Sequence, residues 1–84
     1  MATIKSSTKG FHDPRYRALI ENLVAARVAQ GLSQQSLAER LEKHQQFVSR
    51  YEIGERRLDI IEFVDVASAL GLNPEKLLAQ TVQT

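Results

Sequence analysis

Residues 32–54 read LSQQSLAERLEKHQQFVSRYEIG and contain two short amphipathic segments separated by a few residues. The first covers about 34–41, and Ser33 stands where a side chain would cap its first turn. The second covers about 45–52, and Gly54 follows it as a helix stop. In both segments the apolar residues recur at helical spacing. The stretch therefore predicts two short helices that are joined by a tight turn and share one core.

The polar face of the second segment carries amide and guanidinium groups. Gln45, Gln46 and Arg50 lie on this face. A glutamine can form two hydrogen bonds with adenine, and an arginine can do the same with guanine, at the base edges in the major groove of DNA. This groove is wide enough to admit a helix, and a neighbouring helix can brace it. These residues favour a sequence-specific DNA-binding protein.

Length and composition limit the chain to one small domain. Eighty-four residues lie near the lower limit for independent folding, so dimerisation would help to complete the core. The hydrophobic content of 43% is ordinary, and no apolar run approaches the length of a membrane span. The amino terminus lacks the apolar core of a signal peptide. We therefore expect a cytoplasmic protein with no membrane partner.

Metal binding, cofactor binding and catalysis receive no support from the sequence. The chain has no cysteine, which excludes disulfides and thiolate metal sites. The two histidines, His12 and His44, stand apart from each other and from other ligand types. The serines have no histidine and acid at a spacing that favours nucleophilic catalysis. We expect no metal, no cofactor and no enzymatic activity.

The net charge is only +1, but the charged residues are unevenly distributed. Residues 1–17 contain four basic side chains and one acidic one, and residues 43–57 contain four basic and two acidic ones. Residues 58–84 contain one basic side chain and four acidic ones. This distribution is typical of a molecule that presents one face to phosphate and turns another away.

Capping residues also mark helix starts outside the central stretch. The marked positions are 13–14, 73–74 and an acidic variant of the capping box at 59–62. Residues 1–12 show little periodicity and are expected to form a flexible arm, followed by a folded domain over 13–84. The expected helices span about 14–29, 34–41, 45–52, 60–70 and 74–80.

Several short motifs occur in an order and spacing that are specific when taken together. They are Arg27-x-x-x-Gly31-Leu32-Ser33-Gln34, Leu37-Ala38, Phe47-Val48-Ser49-Arg50-Tyr51-Glu52-x-Gly54 and Ala69-Leu70-Gly71-Leu72. With these motifs the chain resembles the lambda-repressor-like helix-turn-helix family, also called the Cro or XRE type, over roughly residues 14–80. The resemblance implies a compact, all-α, five-helix DNA-binding domain with its third helix in the major groove.

The resemblance also implies roles for individual residues. Base reading is expected from the start and outer face of the third helix, at His44, Gln45, Gln46 and Arg50. Contacts with the DNA backbone are expected from Gln34, Ser49, Arg56 and Arg57. Arg27 and Glu52 match a pair that, in the family, forms a salt bridge between the first helix and the end of the third.

The turn between the second and third helices departs from the family pattern. The family usually has a glycine followed by a small apolar residue, where this chain has Glu42 and Lys43. A non-glycine residue in the left-handed conformation costs about 1 kcal/mol, so a prolonged second helix is an alternative. Prolongation would change the phase of the third helix and the choice of base-reading residues. The sequence leaves both conformations open.

The most direct hypothesis is a small transcriptional regulator that binds double-stranded DNA as a homodimer on a two-fold operator. Apolar residues near the end of the chain exceed what one small core needs. The residues predicted to form the dimer seam are Leu72, Leu77, Leu78 and Val82.

Two alternatives remain. The chain could be a DNA-binding antitoxin whose acidic carboxy-terminal part covers a toxin partner. It could also be an adaptor that uses the same fold to bind another regulatory protein. The low net charge and the carboxylates of Glu42 and Glu55 near the proposed reading face favour the adaptor to some extent.

Overall fold

The computed structural model describes residues 13–82, which form five α-helices and contain no strand. The helices are α1 Pro14–Ala29, α2 Gln34–Leu41, α3 Gln45–Ile53, α4 Ile60–Ala69 and α5 Pro74–Val82. Every helix end lies within two residues of its expected position, and the predicted all-α class is confirmed. The predicted arm over residues 1–12 lies outside the described part of the chain.

The helices begin where the sequence places capping side chains. The side chains of Asp13, Ser33 and Asn73 accept hydrogen bonds of 2.8, 3.0 and 2.8 Å from backbone N–H groups two or three residues ahead. Asp59 and Glu62 cap each other's backbone N–H in a reciprocal capping box, with distances of 2.7 and 3.0 Å. These bonds satisfy donors that the first turn of a helix leaves without an intrahelical partner.

The turn between α2 and α3 is formed by a left-handed residue that is not glycine. Glu42 has φ 57° and ψ 41°, and the Lys43 N–H donates to the Ala38 carbonyl at 2.9 Å. The alternative of a prolonged second helix is therefore wrong, since α2 ends at Leu41 and the chain turns at the next residue. The strain of about 1 kcal/mol at Glu42 is tolerated because both flanking helices are packed on the core.

The core is formed by one face of each of α1 to α4. Within residues 13–82, the buried hydrophobic side chains are Ile20, Leu23, Leu37, Ala38, Val48, Tyr51, Leu58, Phe63, Val66, Ala67 and Leu70. No residue of α5 is fully buried, but Leu77 and Leu78 are partly buried and pack against this core. None of the helices within residues 13–82 is long and apolar enough to cross a bilayer.

Packing of α2 against α3 determines which face of α3 reaches solvent. Val48 and Tyr51 of α3 are completely buried, whereas Gln46 and Arg50 are exposed. The buried and exposed residues alternate with the period of a helix, as the sequence predicts. Burial of Val48 and Tyr51 fixes the rotation of α3 about its own axis.

Candidate nucleic-acid interface

The outward face of α3 presents two polar side chains that have no hydrogen-bond or ion-pair partner within residues 13–82. They are those of Gln46 and Arg50, and both are exposed. A side chain without an intrachain partner loses no protein contact when it bonds with an incoming ligand. These residues are therefore suited to external recognition.

Gln45, at the first position of α3, is connected to α2. Its Nε2 donates to Oε1 of Gln34 at 2.9 Å, and Nε2 of Gln34 donates in turn to Oε1 of Glu52 at 2.9 Å. The Gln45 side chain is exposed, whereas Glu52 is almost buried, with 7% of its side chain accessible. Gln34 thus connects the exposed start of α3 with its shielded end.

Glu52 also receives the guanidinium of Arg27 from α1. Its Oε2 accepts from Nε at 2.7 Å and its Oε1 from Nη2 at 3.1 Å, while Nη1 of Arg27 donates to the Leu32 carbonyl at 2.7 Å. The Arg27 side chain is 14% accessible. The hydrogen bonds to Glu52 raise the pKa of Arg27, so its guanidinium stays ionised. The predicted salt bridge is present in the structure.

Arg27, Glu52, Gln34 and Gln45 form one continuous chain of hydrogen bonds, which we call the anchor network. It joins α1, α2 and both ends of α3. Because Glu52 accepts from two helices at once, a change in the tilt of α3 would break bonds to both. The anchor network therefore fixes the angle at which α3 is presented.

Arg56 follows α3 and is tied to α4 by a second ion pair. Its Nη1 and Nη2 donate to Oε1 and Oε2 of Glu62, both at 2.8 Å. Its guanidinium carbon also lies 5.0 Å from the centre of the Phe47 ring. The hydrogen bonds from Arg56 lower the pKa of Glu62 to about 2. Arg56 is thus held in one place, although 42% of its side chain remains accessible.

A shallow depression brings Arg56 together with the exposed face of α3. It has a volume of about 290 Å³ and is lined by Glu42, Lys43, His44, Gln46, Phe47, Arg50 and Arg56. His44 is the N-cap residue of α3, but its side chain forms no capping hydrogen bond. Four of the predicted DNA-contacting residues therefore share one concave surface.

Arg57 lines a different surface from Arg56, although the two are adjacent in the chain. It borders a depression of about 280 Å³ together with Asp13, Arg15, Tyr16, Leu19 and Thr81. No residue of α3 lines this second depression. The structure therefore separates two arginines that the sequence treats alike. Ser49 lies on α3 and is half-buried.

Three residues in or near α3 were not predicted to be functional from the sequence. Lys43 and Phe47 line the same depression as Arg50, and Glu62 holds Arg56. Lys43 lies in the turn before α3, so helical spacing gave no signal that pairs it with Phe47. Glu62 offered no such signal either, because its partner lies in an irregular loop.

The predicted dimer seam is divided between the core and the surface. Leu72, Leu77 and Leu78 are partly buried against the chain's own core, and Val82 is 82% exposed. Ile60 and Ile61, in the first turn of α4, are 60% and 64% exposed and were not part of the predicted seam.

Comparisons with known proteins agree with this geometry. A helix-turn-helix family model matches residues 23–77, a range that includes the anchor network and all of α3. A similar solved structure is the XRE-family like protein from Pseudomonas syringae pv. tomato str. DC3000. It is 45% identical, with a TM-score of 0.82, and the match covers 93% of this chain and 95% of that one. The chain matches no functionally curated protein.

Proposed function

The chain belongs to the XRE-type helix-turn-helix family of DNA-binding regulators, and we propose that it binds operator DNA sequence-specifically with α3 in the major groove. The observation that supports this most directly is the pair of exposed side chains, Gln46 and Arg50, on a helix whose rotation is fixed by buried Val48 and Tyr51. A rigid helix with unpaired amide and guanidinium groups can discriminate between base edges.

Each base-reading candidate has suitable hydrogen-bonding groups. The Arg50 guanidinium can donate two bonds to guanine, and Gln46 can bond to adenine. Gln45 donates one amide N–H to Gln34, which leaves its other N–H and its carbonyl oxygen for adenine. His44, at the N-cap of α3, lies beside them in the common depression.

Backbone contacts surround this reading face. Gln34 lies at the amino terminus of α2, where backbone N–H groups and the helix dipole favour phosphate. Arg56 keeps N–H groups that Glu62 does not use, and they border the depression beside α3. Ser49 and Arg57 complete the proposed set, with Arg57 reaching a phosphate outside this depression.

The proposed complex is a homodimer on a two-fold operator. Dimers of this class place their reading helices in half-sites about 34 Å apart, which is about one turn of DNA. Leu72, Leu77, Leu78 and Val82 remain the proposed seam, and the exposure of Val82 supports its share of that surface. Because the three leucines already pack partly on the core, the seam would use only their accessible portions.

An adaptor that binds another protein without reading DNA is the second candidate function. The exposed Ile60 and Ile61 favour this candidate, since adjacent exposed isoleucines are typical of protein contacts. Selection from random double-stranded oligonucleotides separates the two functions. We expect an enriched half-site and a fixed spacing, and the absence of any enriched sequence would favour the adaptor.

The selected operator then allows the reading face to be tested. Arg50→Ala should weaken specific binding by about 1–3 kcal/mol and relax the preference at one base pair. Its folding stability should be unchanged, because the Arg50 side chain forms no intrachain bond within residues 13–82. Lys76→Ala, on α5, is the matched control for the loss of one positive charge.

Arg56→Ala should act differently from Arg50→Ala. Loss of a backbone contact weakens binding to all sequences alike and reduces the dependence of affinity on salt. Binding isotherms of both variants on the operator and on scrambled DNA measure the difference. If both variants bind the operator as the unchanged protein does, the reading face is misplaced.

A further inference from the structure

The Phe47 ring is contacted by two positively charged side chains from separate segments. Nζ of Lys43 lies 5.3 Å from the ring centre, and the guanidinium carbon of Arg56 lies 5.0 Å from it. A cation at this distance from an aromatic ring is attracted to its π-electrons. The two cations, together with the Glu62 carboxylate that is bonded to Arg56, leave one net positive charge at the ring, and this charge attracts a further anion.

The backbone turn at Glu42 positions Lys43, and the ion pair with Glu62 positions Arg56. The left-handed Glu42 turns the chain so that Lys43 starts the short connection to α3, four residues before Phe47. Glu62 holds Arg56 through two bonds of 2.8 Å. The arrangement therefore depends on Lys43, which stands where the family usually has a small apolar residue, and on an ion pair that lies outside the anchor network.

The depression beside α3 is predominantly positive, whereas a second depression that Lys43 and Phe47 also border contains the carboxylates of Glu42, Glu62 and Asp65. Lys43, Arg50 and Arg56 line the depression of about 290 Å³, together with one carboxylate, that of Glu42. The Glu62 carboxylate is already bonded to Arg56 and does not line this surface. An anion that enters the depression would meet three cations, and the Gln46 amide would supply a further donor.

We propose that Lys43, Phe47 and Arg56 form a phosphate clamp that holds one phosphate group of the DNA backbone beside α3. The inference rests on the proposed function, to which it adds Lys43 as a contact and Phe47 as the platform that positions both cations. Lys43 provides a compact ammonium with three donors, and Arg56 provides the N–H groups that Glu62 leaves unused. The clamp binds without reading sequence, because every nucleotide carries the same phosphate.

The first test is the salt dependence of DNA binding by Lys43→Gln, with Lys76→Gln as the control. Each lost phosphate contact lowers the slope of log K against log salt by about 0.9. Between 50 and 200 mM salt, the loss of affinity should therefore be about 3.5-fold smaller for Lys43→Gln than for the unchanged protein. The Lys76→Gln variant should keep the original slope, because Lys76 lies on α5 and does not line the depression.

The second test removes the platform without changing the charge. Phe47→Leu keeps an apolar side chain in the partly buried position but removes the ring that both cations contact. We expect several-fold weaker binding to all sequences, and thermal unfolding of the variant checks that the fold is intact. If Lys43→Gln has the slope of Lys76→Gln, the clamp is overturned, whatever Phe47→Leu does.

A third measurement separates the clamp from the proposed function. Titration with inorganic pyrophosphate, followed by amide chemical shifts of the full chain, should perturb residues 43–47 and 56, and Lys43→Gln should abolish the effect. If these shifts occur in a protein that binds no DNA, the clamp holds a free phosphate and the proposed function is wrong. If neither DNA nor pyrophosphate perturbs these residues, the clamp is overturned as well.

Discussion

The two arginine–glutamate pairs have nearly the same geometry and different surroundings. Arg27 and Glu52 meet at 2.7 and 3.1 Å, and Arg56 and Glu62 meet twice at 2.8 Å. The side chains of the first pair are only 14% and 7% accessible, whereas those of the second are 42% and 16% accessible. The first pair joins α1 to α3, and the second joins the loop after α3 to α4.

Burial, rather than bond length, decides what each pair contributes. Breaking a shielded pair leaves a charge that water cannot fully solvate, so the loss is large even where the intact pair adds little net stability. In the second pair Arg56, which is 42% accessible, regains most of its solvation when the pair breaks, whereas Glu62, at 16%, regains less, so the contribution is smaller than that of the first pair. We infer that the Arg27–Glu52 pair determines the presentation of α3 and that the Arg56–Glu62 pair mainly positions Arg56.

The largest expected effect is that of Glu52→Ala. It removes the acceptor of both Arg27 and Gln34, and we expect a loss of about 3 kcal/mol in the free energy of unfolding. Urea denaturation measures this loss. The double variant Arg27→Met with Glu52→Leu leaves no uncompensated charge and should recover most of the stability. A loss below about 1 kcal/mol for Glu52→Ala would show that the two pairs are equivalent.

Gln34→Ala interrupts the anchor network at its exposed end. Gln45 loses its acceptor, and the proposed phosphate contact of Gln34 is lost as well. DNA binding should therefore weaken by about 1 kcal/mol, with an added change in preference at the base that Gln45 reads. Competition binding against single-base operator variants measures this. Gln35→Ala is the matched control, because the Gln35 side chain forms only a long bond of 3.4 Å with Glu39 on the helix surface. Equal effects of the two variants would contradict a role for the bridge.

Glu62→Gln should have the smallest effect on stability, below about 1 kcal/mol at neutral pH. The pKa of Glu62 is lowered from its usual 4.5 to about 2, chiefly by the hydrogen bonds from Arg56. A lowered pKa means that the ionised form stabilises the fold. This contribution is fully present above about pH 4.5 and is lost as the pH falls towards about 2.

The unfolding temperatures of Glu62→Gln and of the unchanged protein should therefore converge as the pH falls through this window. The pKa of Asp13 is also lowered to about 2, chiefly by its side-chain hydrogen bonds with Arg15. Asp13 is common to both proteins, so its titration cancels in the difference. A difference that stays constant from pH 6 to pH 2 would rule out the Glu62 carboxylate as its source.

The fold was predictable because its signals are local. Asp13, Ser33 and Asn73 accept hydrogen bonds from backbone N–H groups two or three residues away, so each donor and acceptor are already close in the sequence. The buried and exposed faces of α3 follow from helical periodicity in the same way. The conformation of Glu42 could not be predicted from such local rules, because the left-handed torsion angles depend on the packing of two helices rather than on the preference of the residue itself.

The candidate site was predictable only in part. Gln46 and Arg50 were placed on the outer face of α3 by spacing alone, and the structure exposes them there. The sequence could not separate Arg56 from Arg57, since a loop imposes no period on its side chains. The sequence predicts Glu62 only as a capping residue for α4. Its second role, which is to hold Arg56, is visible only in the tertiary structure.

Glu42, which has a left-handed conformation, is a position where a substitution could relieve backbone strain. The residue is exposed, its strain of about 1 kcal/mol is confined to one pair of torsion angles, and glycine adopts those angles freely. A Glu42→Gly exchange would relieve this strain, but the extra freedom of glycine in the unfolded chain offsets about 0.5–1 kcal/mol of the gain, so heat tolerance would change little. The exchange also removes the Glu42 carboxylate from the depression beside α3, so its main consequence would be a higher affinity for DNA.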